Sequence, residues 1–255
     1  MAAIRLLKQL EADGRLASSE EQAVLNRYTG WGGIPQAFDG QRKGWEKEYA
    51  ELKELLSDTE YAAARASTLN AHYTPYEIIK AIYAGFDDFK LPADAKVLEP
   101  GLGTGRFFGA LPPEAENWRL TGIELDSLTG RIARQLYPQA EIRIDGFQNV
   151  SLPDNSFDLA VGNVPFGAYS VPDPKYDKYK LLIHDYFFAK AIDKVAPGGL
   201  VVFITSKGTL DKANSSFRKY LAERAELLGA VRLPSSSFTK IANTEVTSDI
   251  LVLRK

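Results

Sequence analysis

The sequence predicts a Rossmann-like α/β fold: a seven-stranded, mainly parallel sheet whose last strand runs antiparallel, preceded by a helical N-terminal arm. Two observations carry this. From about Ala71 onward short apolar runs alternate with helical segments, the pattern of a sheet covered on both faces. The first run, AKVLEP, opens into GLGTGRFF, a glycine-rich turn of the kind that lets a ligand approach the backbone.

The elements follow in order. Residues 1–66 read as the arm, with helical patterns at Ile4, Leu6, Leu7 and Leu10 and again from Trp45 to Leu56, interrupted by YTGWGGIPQAFDG. Residues 67–255 read as the α/β domain, with strands in AKVLEPG, WRLTGIELD, EIRID, FDLAVGN, GLVVFITS, ELLGAVRLP and SDILVLRK. Helices are expected over Pro75–Ala84, Gly105–Ala110, Leu128–Leu136, Ile183–Val195 and Ser215–Glu226. Pro197-Gly198-Gly199 is expected to stop the fourth of these and turn the chain into a strand.

Composition excludes several classes of function. The chain has no cysteine, so disulfides, thiolate zinc sites and thiol catalysis are out, and His72 and His184 are too few for a histidine-rich metal site. No apolar stretch reaches the roughly 18 residues of a membrane helix, and the start is amphipathic rather than signal-like, so a cytoplasmic location with no membrane partner is expected. A net charge of −2 makes any surface for a polyanion local. Lys175, Lys178 and Lys180, then Lys207, Lys212, Arg218 and Lys219, are candidates, although solvated lysines explain them equally well.

The glycine turn follows Glu99 and Pro100, and Gly101, Gly103 and Gly105 give it the order G-x-G-x-G. A nicotinamide-binding turn reads G-x-G-x-x-G, so the pattern favours a methyltransferase turn over a dehydrogenase one. About twenty residues on, Glu124 ends the second strand, where a carboxylate can accept both ribose hydroxyls of a nucleoside. Asp126 is expected to cap the next helix instead. Asp145 and Phe147, after the third strand, offer a carboxylate and a ring to an adenine; a simple turn is the competing reading.

The fourth strand opens into Asn163-Val164-Pro165-Phe166 at the sheet edge where open α/β proteins place ligands. An aromatic amine is a poor nucleophile because its lone pair is delocalised. The Asn163 side-chain oxygen and a backbone carbonyl beside Pro165 can accept its N–H groups, favouring tetrahedral nitrogen, while Phe166 stacks on a flipped base. An ordinary Asn-Pro turn is the competing reading.

Taken together, LEPGLGTGRF, IELD, NVPFG, IHDYFFAKAIDKV with PGGLVVFITS, and LPSSSF resemble adenine-N6 DNA methyltransferases over about residues 70–255. YTGWGGIPQAF and TSKGTLDK extend the likeness to phage- and mobile-element-associated DNA methylases. The resemblance implies a class I fold using S-adenosyl-L-methionine and acting on adenine in DNA. It makes His72-Tyr73-Thr74-Pro75 the segment over the cofactor's methionine end, with Tyr73 and Thr74 in contact. Glu99 to Gly105 becomes the first cofactor loop, Glu124 the ribose ligand, and Asp145 with Phe147 the adenine contacts. Asn163 to Phe166 becomes the N/D-P-P-Y/F/W motif, and Phe238 the aromatic that helps hold the base, with a core position as its competing reading.

Two departures stand out. Val164 replaces the usual first proline, leaving Pro165 to supply the motif's carbonyl, and Gly101-Leu102 replaces a Ser or Ala followed by a small residue, which is expected to loosen cofactor binding. Such enzymes commonly carry a target-recognition segment after the core, so a separate recognition domain or subunit is an expected partner. A protein glutamine N-methyltransferase uses a similar motif, and a non-catalytic DNA-binding module of the same fold is the third reading. Trp31, Gly32 and Gly33 suit either a packed turn or a contact to DNA or the cofactor lid, and Tyr169 to Tyr179 is expected to be a mobile substrate loop.

Overall fold

The computed structural model describes residues 1–32, 34–68, 73–85, 89–238 and 247–255. The arm comprises α1 (Ala2–Asp13), α2 (Ser19–Leu25), α3 (Glu46–Leu55) and α4 (Asp58–Ser67). Gly14 ends α1 in the left-handed region, and Ser18 with Glu21 and Ser57 with Glu60 form capping boxes that satisfy the first amides of α2 and α4.

Beyond the arm come α5 (Tyr76–Ala84), β1 (Lys96–Pro100), β2 (Arg119–Glu124), α6 (Ser127–Leu136), β3 (Glu141–Ile144) and β4 (Phe157–Asn163). They are followed by α7 (Ile183–Lys194), β5 (Val195–Ser206), α8 (Gly208–Asp211), α9 (Ser216–Ala222), β6 (Glu226–Arg232) and β7 (Ser248–Arg254). The sheet order is β3-β2-β1-β4-β5-β7-β6, and β7 runs antiparallel to both neighbours, as the sequence predicts. Strand order reverses between β1 and β4, so the crevice at their carboxyl ends is the natural ligand position.

Side chains alternate between the two faces of the sheet. Leu98, Val201 and Phe203 join the apolar cluster beneath α7 and α9, whereas Val97, Val202 and Ile204 join the cluster beneath α5. The arm has its own cluster, which takes in Leu128 and Ile132 of α6, so α6 is where it docks. Among the described residues no helix is long and apolar enough to cross a membrane.

Helix α9 ends at Ala222, short of the expected Glu226, which opens β6 instead, and two further elements differ from expectation. The helix over Gly105–Ala110 shrinks to a 3-10 turn at Phe108–Ala110, because Gly105 lies at φ 79°, outside the helical region, and Pro112 and Pro113 follow at once. Strand β5 begins before Pro197-Gly198-Gly199, since Val195 already pairs with Phe157 and the ladder resumes at Leu200. The glycines therefore sit within a strand irregularity. As expected, Asp126 caps α6, accepting from the amides of Leu128 at 2.8 Å and Thr129 at 3.1 Å.

Candidate active site

A cavity of about 580 Å³ opens at the carboxyl ends of β1, β2 and β4, large enough for a nucleoside-bearing ligand. Of the residues singled out from sequence, Tyr73, Thr74, Glu99, Gly101, Gly103, Glu124, Asp145, Phe147, Asn163 and Pro165 line it. Pro100, Gly105, Phe166 and Phe238 do not appear on its wall. His72 and Gly33 lie outside the described residues.

Two glycines of the turn take backbone conformations that suit glycine and stand on the cavity wall. Gly101 and Gly103 lie at φ 96° and 58°, where only glycine is at ease, and they leave bare backbone facing the cavity. Gly105, at φ 79°, serves packing instead, since a Cβ there would come within 2.5 Å of the Tyr137 ring. Leu102 departs from the family pattern without disturbing the turn. Its side chain is buried with Phe108, Ala133 and Ile142, and lies where a Cβ on Gly122 would come to 2.6 Å of it. Gly122 makes room for the larger residue.

Glu124 is held by two backbone amides, one on each oxygen: Gly103 donates at 2.7 Å and Asp126 at 2.8 Å. Each oxygen keeps a second lone pair for a ligand hydroxyl. Burial pushes this carboxyl up to about 7 despite the two amides, and the nearby Asp126 carboxylate adds to the rise. Glu99, only 2% exposed, carries an oxygen without a hydrogen-bond partner, and burial, then the neighbouring Glu124, push it well above the usual carboxylate range.

Asp145 is exposed at the far end of the cavity; one of its oxygens accepts from the Gly146 amide at 2.7 Å and from Asn149 at 2.8 Å, which fixes the turn. Phe147 beside it is buried against Phe187, with the Lys190 ammonium 5.0 Å from its ring centre.

At the end of β4 the Asn163 amide donates to the Thr74 hydroxyl at 3.2 Å, joining the strand end to the segment before α5. The Val164 amide donates to the Ile204 carbonyl at 3.1 Å, a ladder bond that the usual proline could not make, and its side chain is buried in the core. Phe166 is half-buried and rests on the apolar clusters of both sheet faces. Phe238, 1% exposed, is buried in the cluster on which Phe166 rests, so the structure gives it a packing place and does not bring it to the cavity.

Several features are missing from the sequence reading. Arg106 lines the cavity, donates to the Thr74 carbonyl at 2.9 Å and holds its guanidinium 4.8 Å from the Tyr76 ring centre. A lone cation directly after a glycine turn was the available signal. The arm reaches the cavity through Trp31, which the sequence reading weighed as a packed-turn or lid residue, and through Gly30, Ala63, Ala66 and Ser67, which it did not single out. The segment Tyr169 to Tyr179 is irregular but fastened at its middle: buried Asp173 accepts from Tyr186 at 2.8 Å and Lys190 at 3.2 Å. Of the basic candidates, Lys175 pairs with Asp154 and Asp193, and Lys212 with Asp185, while Lys178, Lys180, Lys207 and Lys219 are exposed. Among the described residues no group of three carboxylate or imidazole side chains is placed to hold a metal.

A family model for N-6 DNA methylases matches residues 55–255. The chain is 30% identical, over 99% of its length, to the Defense against restriction protein B of Escherichia phage P1, yet it spans only 10% of that protein. It is 31% identical over 124 residues to the type II methyltransferase M.CvrRI of Paramecium bursaria Chlorella virus XZ-6E, a match covering 49% of this chain and 30% of that one. Among solved structures, one from Listeria monocytogenes described as a class I S-adenosylmethionine-dependent methyltransferase superposes with a TM-score of 0.62 at 16% identity, covering 100% of this chain and 87% of that one. A modification subunit of a type I restriction enzyme from Vibrio vulnificus YJ016 superposes with a TM-score of 0.58 at 20% identity, covering 86% and 52% respectively. These likenesses establish the class I methyltransferase fold.

Proposed function

The chain belongs to the N-6 DNA methylase family, and from that premise we propose that it methylates the N6 amine of adenine in DNA, with the base flipped against Asn163-Val164-Pro165-Phe166. The fold and family make S-adenosylmethionine its cofactor. The observation that carries the finer reading is that Asn163 and Pro165 line the same cavity as Gly101, Gly103 and Glu124. One cavity thus joins a nucleoside-binding crevice to acceptors suited to an aromatic amine.

In this reading Gly101 and Gly103 present backbone to the cofactor, Glu124 accepts from its ribose, and Asp145 and Phe147 face its adenine. Tyr73 and Thr74 lie over the methionine end. Bound there, the cofactor supplies a methyl group on a positively charged sulfur. Asn163 and a backbone carbonyl of the Val164–Pro165 pair accept the two N–H groups of the target amine, which localises its lone pair. The Thr74 hydroxyl, accepting from the Asn163 amide nitrogen, ties that side chain to the segment over the cofactor. Phe166 offers a ring face to the base from a fixed bed of core side chains. Holding the reacting groups in line provides much of the acceleration. The exposed Lys178, Lys180, Lys207 and Lys219 are candidates for phosphate contacts, and a separate domain or subunit supplies sequence recognition.

The test is incubation with tritiated S-adenosylmethionine and mixed-sequence DNA, followed by digestion to nucleosides. Label in N6-methyladenine that vanishes in Asn163→Ala supports the reading. Label in a protein substrate instead, or cofactor binding with no label in any DNA offered alone or with a recognition subunit, would overturn it.

A further inference from the structure

The cavity is not completed by the sheet and its crossovers alone. Gly30, Trp31, Ala63 and Ala66 of the arm form part of its wall. Trp31 is 2% exposed and is held edge-on between Tyr28 and Phe38, with ring centres 5.7 and 5.1 Å away. Gly30 lies at φ 69°, and a Cβ there would come to 2.5 Å of the Tyr73 ring. That ring in turn lies 3.6 Å from where a Cβ on Gly103 would stand, and the Gly103 amide holds Glu124 at 2.7 Å. A continuous line of contacts therefore runs from the arm through Tyr73 to the carboxylate of the second strand.

Away from the cavity, the arm is fastened to α6. Glu60 accepts from Lys8 at 2.7 Å and also from Arg131 of α6, and Arg131 reaches Glu11 of α1 at 3.3 Å. The Gln22 side chain donates to the Gln135 carbonyl at 2.9 Å, and the Ala17 amide donates to the Gln135 side chain at 2.9 Å. Burial raises Glu60, but hydrogen bonds from Lys8, the Ser57 amide and Arg131 outweigh it and bring the carboxyl down to about 2. None of Lys8, Glu11, Glu60 and Arg131 lines the cavity.

We propose that the arm is a working part of the cofactor site, so that its docking on α6 and cofactor binding are one coupled equilibrium. Gly30 and Trp31 are its contact residues, and the Glu60–Arg131 dock is its remote anchor. The proposal rests on the reading of this cavity as the cofactor site. A wall supplied by a separately anchored element must be in place for the ligand to gain its contacts, and by linkage the ligand must stabilise the docked arm. This gives the YTGWGG turn a reason to combine a left-handed glycine with a buried tryptophan.

The test measures S-adenosylhomocysteine affinity by calorimetry on the full chain, its Gly30→Ala and Arg131→Gln variants, and an Arg119→Gln control whose ion pair with Asp94 is exposed. Circular dichroism checks each fold. Both arm variants are expected to lose on the order of 5- to 150-fold in affinity, the usual span of a coupling between sites, with the control unchanged. Hydrogen exchange in residues 28–32 and α4 of the wild type is expected to slow when S-adenosylhomocysteine is added. Should Gly30→Ala fail to fold, Arg131→Gln and the wild-type exchange decide the matter. Wild-type binding with an unchanged Arg131→Gln affinity, or with arm exchange insensitive to ligand, overturns the coupling alone. A wild type that does not bind S-adenosylhomocysteine overturns the reading of the cavity as well.

Discussion

The Gly103 amide donates to the Glu124 carboxylate at 2.7 Å, so the glycine turn after β1 and the acidic end of β2 position each other before any ligand arrives. Glu124 sits with its pKa raised to about 7 by burial first, the two backbone amides only partly offsetting it. The sign follows directly. A carboxyl raised in the folded state favours folding fully below its unfolded value of about 4.3, and that contribution is lost as pH rises through about 7. Ribose hydroxyls donate better to a carboxylate than to an acid, so cofactor affinity should rise between pH 6 and 8 and then level off, with proton release seen by calorimetry in buffers of different ionisation enthalpy. Glu124→Gln should weaken binding on the order of 10- to 100-fold, as expected for a lost charged hydrogen bond of about 1.5–3 kcal/mol, and should flatten the pH dependence. A flat profile in the wild type would remove Glu124 from the ribose contact.

Asn163 should behave as a transition-state residue. Because its contribution is to localise the amine lone pair, Asn163→Ala is expected to lower kcat on the order of 100-fold or more while leaving S-adenosylhomocysteine affinity close to wild type. Single-turnover rates with the variant, alongside calorimetric affinity, separate the two. A proportional loss of cofactor affinity would mean that the residue only shapes the cavity.

Much of this arrangement is legible in the sequence, because the signals are local. A glycine turn between a strand and an acidic strand end, or an Asn-x-Pro-aromatic at a strand terminus, is written in consecutive residues, and the sheet follows from the alternation of apolar runs. What escapes is whatever depends on contacts between distant segments. Phe238 and Phe166 are both aromatics after strands, yet one is sealed in the core and the other caps it, a difference decided by packing across the sheet. Asp173 sits in a polar, proline-flanked stretch that reads as a free loop, and it is partners distant in sequence, Tyr186 and Lys190 on Asp173 and Asp193 on Tyr176, that fasten it. Nothing in YTGWGG by itself says that its glycine abuts Tyr73.

Val164 is the clearest case in which the departure from the family motif suits this fold. Its amide donates to the Ile204 carbonyl at 3.1 Å just past the carboxyl end of β4. Restoring the usual residue, Val164→Pro, removes that donor and leaves a buried carbonyl unsatisfied, at a cost of about 1–3 kcal/mol, and empties part of the core the valine fills. Urea unfolding should report the loss. Equal or greater stability in the variant would show that the ladder bond contributes little here.

Asp173 and Lys190 form a buried pair, 3.2 Å apart, which the Tyr186 hydroxyl completes at 2.8 Å from the carboxylate. Burial raises Asp173, but the hydrogen bonds from Tyr186 and Lys190 and the lysine's charge bring it below the usual carboxylate range; burial likewise lowers Lys190, against the pull of Asp173. Removing only the acid strands a buried ammonium, so Asp173→Ala should cost about 3–5 kcal/mol, and Asp173→Ala with Lys190→Met should recover part of it. The depressed carboxyl contributes stability above its unfolded value of about 3.9 that is lost as pH falls through the folded value. Denaturant melts of wild type and Asp173→Ala between pH 3 and 7 should therefore converge toward the acid end. Exchange around residue 173 should rise in the single variant, because the pair is one of the ties of that stretch to α7, while Lys175 and Tyr176 keep theirs to Asp193. Melts that stay parallel across the range would show that the carboxylate gains nothing from its lysine.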